Sequence, residues 1–172
     1  HIARMPGSGV RHILERALRR PRTIILAVGE PGEVAGEQIR DVAAQGWRDG
    51  AIRYTPNGGI PSLREAIRAK LSRQNGLEVD LEQIWVTVGA TQALHLAMAL
   101  TLSRGDEVLV PDPGYTTFTM NAHLLQATPV PYPLRPDRAF QPDLDELEAL
   151  VTTRTRALIV NTPSNPLGST FD

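Results

Sequence analysis

The chain of 172 residues contains no cysteine, which removes disulfides and thiolate metal sites together. Lysine is nearly as scarce, since seventeen of the 18 basic residues are arginine and only Lys70 is lysine. Any chemistry that needs a side-chain amine has one candidate. The formal net charge of -1 gives no overall attraction to nucleic acid or to an anionic membrane, and neither is expected as a partner. No apolar run approaches a membrane-spanning length, and the N-terminus lacks a basic-then-apolar leader, so the expected location is cytoplasmic. His12, His95 and His123 fall on separate predicted helices without metal-ligand spacing, and no metal site is expected.

What is present fits one core of ordinary size, with 41% hydrophobic and 22% charged residues. SGVRHILERALRR offers Ser8 as a cap, with Val10, Ile13, Leu14, Ala17 and Leu18 at amphipathic helical spacing. TIILAV is short, apolar and β-branched and runs into Gly29-Glu30-Pro31-Gly32, so it predicts a buried strand and a turn. A second helix carries Ile39, Val42, Ala43 and Trp47. YTPNGGIPSLREAIRAKL passes from turn chemistry to a helix with Pro61 in its first turn, closed at Asn75-Gly76. The chain then alternates. Strand IWVTV, helix TQALHLAMALTL, strand EVLVP, helix FTMNAHLL, strand TPVPYPL, helix LDELEALV and strand ALIVN follow with short connections. That order predicts an α/β fold with a mostly parallel sheet sandwiched by helices. Residues 1–53 lack the alternation and are read as an arm with part of a small domain. Residues 54–172 are read as the larger domain.

Three junctions could carry chemistry. In VTVGATQALHL a strand ends at Gly89 and a helix begins at once, so the N-H groups of Ala90 and Thr91 and the helix dipole form an anion site. The same residues would serve an ordinary strand-to-helix turn with Thr91 as a local cap. PDPGYTTF follows the next strand and sends Tyr115 toward the edge where ligands of such sheets bind, able to stack on a planar ring or to fill a core position. NTPSNPLG follows a further strand. There Asn165 offers an amide donor, and Pro166 permits a cis peptide bond that would present it, unless the stretch is a plain surface turn. The carboxylates are less promising. Glu30 and Glu33 form no acid/base pair, and Asp143, Asp145, Glu146 and Glu148 read as the solvated start of a helix.

Taken in order, GEPGE, YTPNGGIPSLREAI, VTVGATQAL, GDEVLVPDPGYTTF and NTPSNPLG resemble the N-terminal half of a class I/II aminotransferase, a fold type I enzyme using pyridoxal 5'-phosphate (PLP). The resemblance runs from about Ser8 to the end. It implies that Ala90 and Thr91 hold the PLP phosphate, that Tyr115 stacks on the pyridine ring and that Asn165 donates to its phenolic oxygen. It further implies that Tyr54 reaches the phosphate of a neighbouring subunit's cofactor in a homodimer, and that the backbone at Gly29 lies near the substrate carboxylate.

The family's lysine, which forms a Schiff base with PLP and moves the proton, belongs to a part of the pattern beyond Asp172. So do the aspartate at the pyridine nitrogen and the arginine at the substrate carboxylate. Lys70 sits mid-helix, where a solvated or snorkelling side chain is the expectation, and is no substitute. The chain is therefore expected to be the N-terminal portion of an enzyme exchanging an amino group between an amino acid and a 2-oxo acid, inactive alone, with an incomplete large domain. Alternatives on the same scaffold are a PLP lyase or synthase, the sensor domain of a transcription regulator, or a scaffold without cofactor. Substrate identity is not legible.

Overall fold

The computed structural model describes Met5, residues 7–29 and residues 32–171. Glu30 and Pro31 of the turn after TIILAV, and the terminal Asp172, lie outside the described residues. The chain forms two compact units, one on Gly89–Asp172 with the first residues to Gly9, the other on Val10–Val88.

In the second unit, α1 (Gly9–Leu18), α2 (Glu37–Arg48) and α3 (Pro61–Lys70) form where the apolar spacing predicts them. Proline opens α3, a π-helical turn over Leu71–Asn75 extends it, and Gly76 closes it in the left-handed conformation at φ 64°. Neither α1 nor α2 has a buried residue. Their apolar stripes, with Ile13, Val42 and Trp47, are exposed. The Asn57-Gly58-Gly59 turn is tied to the segment that follows α3, since Val86 N-H donates to Gly58 C=O at 3.0 Å. Gly59, at φ 98°, lies so close to the Val86 side chain that a Cβ there would collide with it.

Two predicted strands are not strands here. TIILAV and IWVTV belong to no ladder among the described residues. An apolar β-branched run becomes a strand only when a neighbour pairs its N-H and C=O groups, and TIILAV has no such neighbour, leaving Ile24 and Leu26 exposed.

The first unit carries the sheet. Helix α4 (Gly89–Thr101) leads into β1 (Glu107–Asp112), then come α5 (Thr116–Leu124), β2 (Thr128–Pro133), α6 (Leu144–Leu150) and β3 (Thr155–Leu158). The strands are parallel in the order β2-β1-β3, as the strand-helix alternation predicts. Every residue of β1 from Glu107 to Pro111 is buried. Alternate side chains feed two cores. Val108 and Val110 join Met98, Leu102, Phe118 and Ala122 of the α4/α5 face. Leu109 joins Tyr132 and Leu134 on the α6 face, where Leu147, Leu150, Leu167 and Phe171 close the cluster.

Candidate active site

Parallel pairing puts the carboxyl ends of all three strands on one edge. Leaving that edge, β1 feeds α5 on one face, whereas the chain beyond β3 returns on the other, with Leu167 and Phe171 packed on the cluster of Leu109, Tyr132 and Leu134. Loops that depart to opposite faces mark a topological switch point between β1 and β3, and open α/β sheets bind ligands at such a point.

Helix α4 brings its start to the same edge. Its 13 residues, at about 1.5 Å each, match the length of the 6-residue β1 at about 3.3 Å each. A short turn at Arg104-Gly105 joins the two, and Met98 and Leu102 pack on Val108 and Val110, so α4 runs antiparallel to β1. Helix α5 runs beside α4 in the same direction, with His95 Nδ1 and Asn121 Oδ1 3.0 Å apart. Five residues back along each helix stand Ala90 and Thr116. The two helix starts are thus level.

Gly89 begins α4 at φ 73°, a conformation open to glycine, and Ala90 and Thr91 are exposed. Tyr115 is the N-cap of α5 and is 38% exposed, its ring held perpendicular to that of Phe118 with centroids 5.6 Å apart. Gly114 before it has no room for a side chain, because a Cβ would strike the Pro111 carbonyl. On the other lip the Asn165-Pro166 bond is cis, as predicted, and the bonds Asp112-Pro113 and Thr162-Pro163 are cis as well. Asn165 N-H donates to Asn161 Oδ1 at 2.8 Å, Ser164 N-H to Ser169 C=O at 2.7 Å and Gly168 N-H to Ser164 C=O at 2.7 Å. The backbone of this loop is bound to itself, while the Asn165 side chain is exposed and the Ser164 hydroxyl is buried without a partner.

Ala90, Thr91, Tyr115 and Asn165 therefore share one edge of one unit. Gly29 and Tyr54 lie in the other unit, both exposed, Tyr54 completely. A cavity of about 390 Å³ between β1, β2 and α5 is lined by Thr116, Thr119, Met120, Pro129 and Pro131 among others, and it includes neither Thr91 nor Asn165. Among the described residues no cluster of histidines and carboxylates could hold a metal ion, and no helix is long and apolar enough to cross a membrane.

Residues 21–172 match the sequence profile of the family Aminotransferase class I and II. The chain belongs to that family. The chain is 37% identical over 165 residues to the aspartate aminotransferase of Pyrococcus horikoshii, covering 96% of its own length and 42% of that protein. It is 37% identical over 163 residues to aromatic-amino-acid aminotransferase 2 of Thermococcus litoralis, covering 94% and 42%. Among solved structures, aspartate aminotransferase of Thermus thermophilus with maleate superposes with a TM-score of 0.94 at 33% identity, over 99% of this chain and 46% of that one. The chain thus spans less than half the length of the curated relatives it matches, and its family implies PLP.

Sequence reasoning missed one residue that the geometry brings forward, Tyr132 beneath the Asn165 loop. The signal was in TPVPYPL, where a lone tyrosine replaces an aliphatic residue at a core position.

Proposed function

We propose that the chain is the cofactor-binding portion of a PLP-dependent aminotransferase that exchanges an amino group between an amino acid and a 2-oxo acid. The observation that supports this reading is that two helix starts and the Asn165 loop stand at the carboxyl edge of one sheet. The donor set suits a flat phosphorylated aldehyde. Ala90 N-H and the Thr91 N-H and hydroxyl would hold the phosphate, helped by the α4 dipole, a term of about 0.3 to 1 kcal/mol. The Tyr115 ring would stack on the pyridine, and the Asn165 amide would donate to the phenolic oxygen. When bound, PLP supplies an aldehyde that takes up the amino group and a ring that draws electrons from the substrate α-carbon.

The lone amine of the chain is not offered for chemistry. Lys70 Nζ donates to Asn75 Oδ1 at 2.7 Å at the end of α3. The 172-residue chain alone is therefore proposed not to transaminate. Residues 1–53 are proposed as an arm with part of a small domain and 54–172 as the incomplete large domain. Tyr54 is proposed to serve the cofactor of a neighbouring subunit in a homodimer, Gly29 to border the substrate carboxylate, and the parent to be cytoplasmic.

The test is the protein expressed from the whole reading frame. It is expected to bind PLP with an absorbance band near the visible edge, to move amino groups from amino acids to a 2-oxo acid, and to show a shifted band in Asn165→Ala. Bound PLP with elimination products and no amino transfer would favour the lyase reading. Absence of any PLP band would overturn both.

A further inference from the structure

The ladder between the three strands alternates. Even-numbered positions bond toward β2, where Thr128 N-H donates to Asp106 C=O at 2.8 Å and Leu134 N-H to Asp112 C=O at 2.7 Å. Odd-numbered positions bond toward β3, where Glu107 N-H donates to Arg154 C=O at 2.9 Å and Ile159 N-H to Leu109 C=O at 2.9 Å. The next bond in that series would run from the N-H of residue 111 to the C=O of Ile159. Residue 111 is proline and has no N-H. The β1-β3 ladder stops there.

The Ile159 carbonyl is nonetheless satisfied. Tyr132, the register partner of Pro111 on β2, crosses beneath β1 and donates its hydroxyl to Ile159 C=O at 2.8 Å. Its side chain is 2% exposed. Burial pushes the phenol above its ordinary value, so the hydroxyl keeps its proton at neutral pH and remains a donor. Leu167 and Phe171, from the far end of the same loop, pack on the cluster that contains Tyr132. The segment carrying Asn165 is thus held at Ile159 by the tyrosine's hydrogen bond and at Leu167 and Phe171 by the apolar cluster to which the same tyrosine belongs.

We propose that Tyr132 is a positioning residue for Asn165: its hydroxyl replaces the donor that Pro111 cannot supply, and so sets where the loop leaves the sheet and where the Asn165 amide meets the cofactor ring. This rests on the PLP reading above. A tyrosine at a core position that phenylalanine would fill more cheaply has a physical reason here, because a buried carbonyl without a partner is costly.

The test uses the protein from the whole reading frame and PLP itself. Tyr132→Phe keeps the volume and removes the donor. It is expected to weaken PLP binding about 5- to 10-fold, the scale of one lost hydrogen bond, and to shift the absorbance band in the direction of Asn165→Ala. In an Asn165→Ala background the same change is expected to add nothing to the shift. Pro111→Ala restores the backbone N-H, so Pro111→Ala/Tyr132→Phe is expected to recover wild-type affinity and band. Wild-type binding by Tyr132→Phe, or a full effect persisting without Asn165, would overturn the proposal while leaving the PLP reading intact. If wild-type protein binds no PLP, the reading itself fails. Should Tyr132→Phe not fold, the double variant carries the test, and weak binding by it overturns the proposal.

Discussion

Along β2, the residues whose backbone nitrogens face away from β1 are Pro129, Pro131 and Pro133; along β3, past the register slip at Arg156, the corresponding outward positions are Leu158 and Val160. The first edge offers no N-H donor to a further strand over that stretch, which is how natural sheets blunt an edge. The second keeps its donors and exposes apolar side chains beside them, Leu158 at 48% and Val160 at 59%. One edge is built to end a sheet. The other has the composition of an interior strand, with a β-branched and aliphatic run at Ala157-Leu158-Ile159-Val160. The difference teaches that β3 is specified by sequence for more neighbours than this chain supplies, whereas β2 is not.

What holds β3 in place is correspondingly polar. Glu107, 5% exposed at the start of β1, accepts from the Thr152 hydroxyl at 2.5 Å and from Arg154 Nε at 2.9 Å. The Thr152 hydroxyl, and then the Arg154 guanidinium, keep its carboxyl below the ordinary value of 4.5. No such clamp joins β2 to β1 among the described side-chain hydrogen bonds. There the ladder runs unbroken from Glu107/Thr128 to Asp112/Pro133, and α5 packs beside it.

The comparison can be broken at its centre. Leu109, 1% exposed between the two edges, is expected to cost about 2 to 5 kcal/mol when changed to alanine, measured by denaturant unfolding. Both edges should be lost together in one transition. If β3 melts separately, the strands are less coupled than the ladder implies.

The clamp gives a pH signature. Because the folded pKa of Glu107 is depressed, its contribution is complete above the ordinary value of 4.5 and is lost as pH falls below it through the depressed folded value. Thermal midpoints of wild type are expected to fall more steeply over that acid range than those of Glu107→Gln. Parallel curves would mean that the clamp contributes nothing to the β1-β3 junction.

The smallest effects should separate the edges themselves. Pro131→Thr returns an outward N-H to β2 and loosens the unfolded chain, with an expected loss of about 0.4 to 1 kcal/mol. Leu158→Lys on β3 is expected to change stability by no more than about 0.5 kcal/mol. In sedimentation the order reverses: Leu158→Lys should reduce self-association of this chain, and Pro131→Thr should raise it slightly. Equal behaviour of the two variants would remove the distinction between a closed and an open edge.

Much of this organisation was legible because it is local. Pro61 and Gly76 bracket α3, Asp143 caps α6 by accepting from the N-H groups of Asp145 and Glu146, and alternation of strand and helix gives a parallel sheet without long-range information. The cis bond at Asn165-Pro166 was legible for the same reason, since only an X-Pro pair makes it affordable. TIILAV and IWVTV were not, because a strand is a property of two segments and the sequence of one does not say whether the other is beside it. The placing of Tyr115 and Asn165 beyond the carboxyl ends of β1 and β3 followed from the alternation, whereas Ala90 reaches that edge through α4 and not through the expected strand IWVTV. The support beneath Asn165 did not.

By itself, the sequence determined where the main helices fall, the parallel sense of the sheet, the family and the residue types set at the strand ends, since each depends on neighbours a few positions away or on a pattern repeated along the chain. Only the tertiary structure decided which segments became strands, how α4 and α5 stand level through His95 and Asn121, and that Tyr132 answers the donor missing at Pro111. Those outcomes depend on backbone groups far apart in sequence finding, or failing to find, a partner across the sheet.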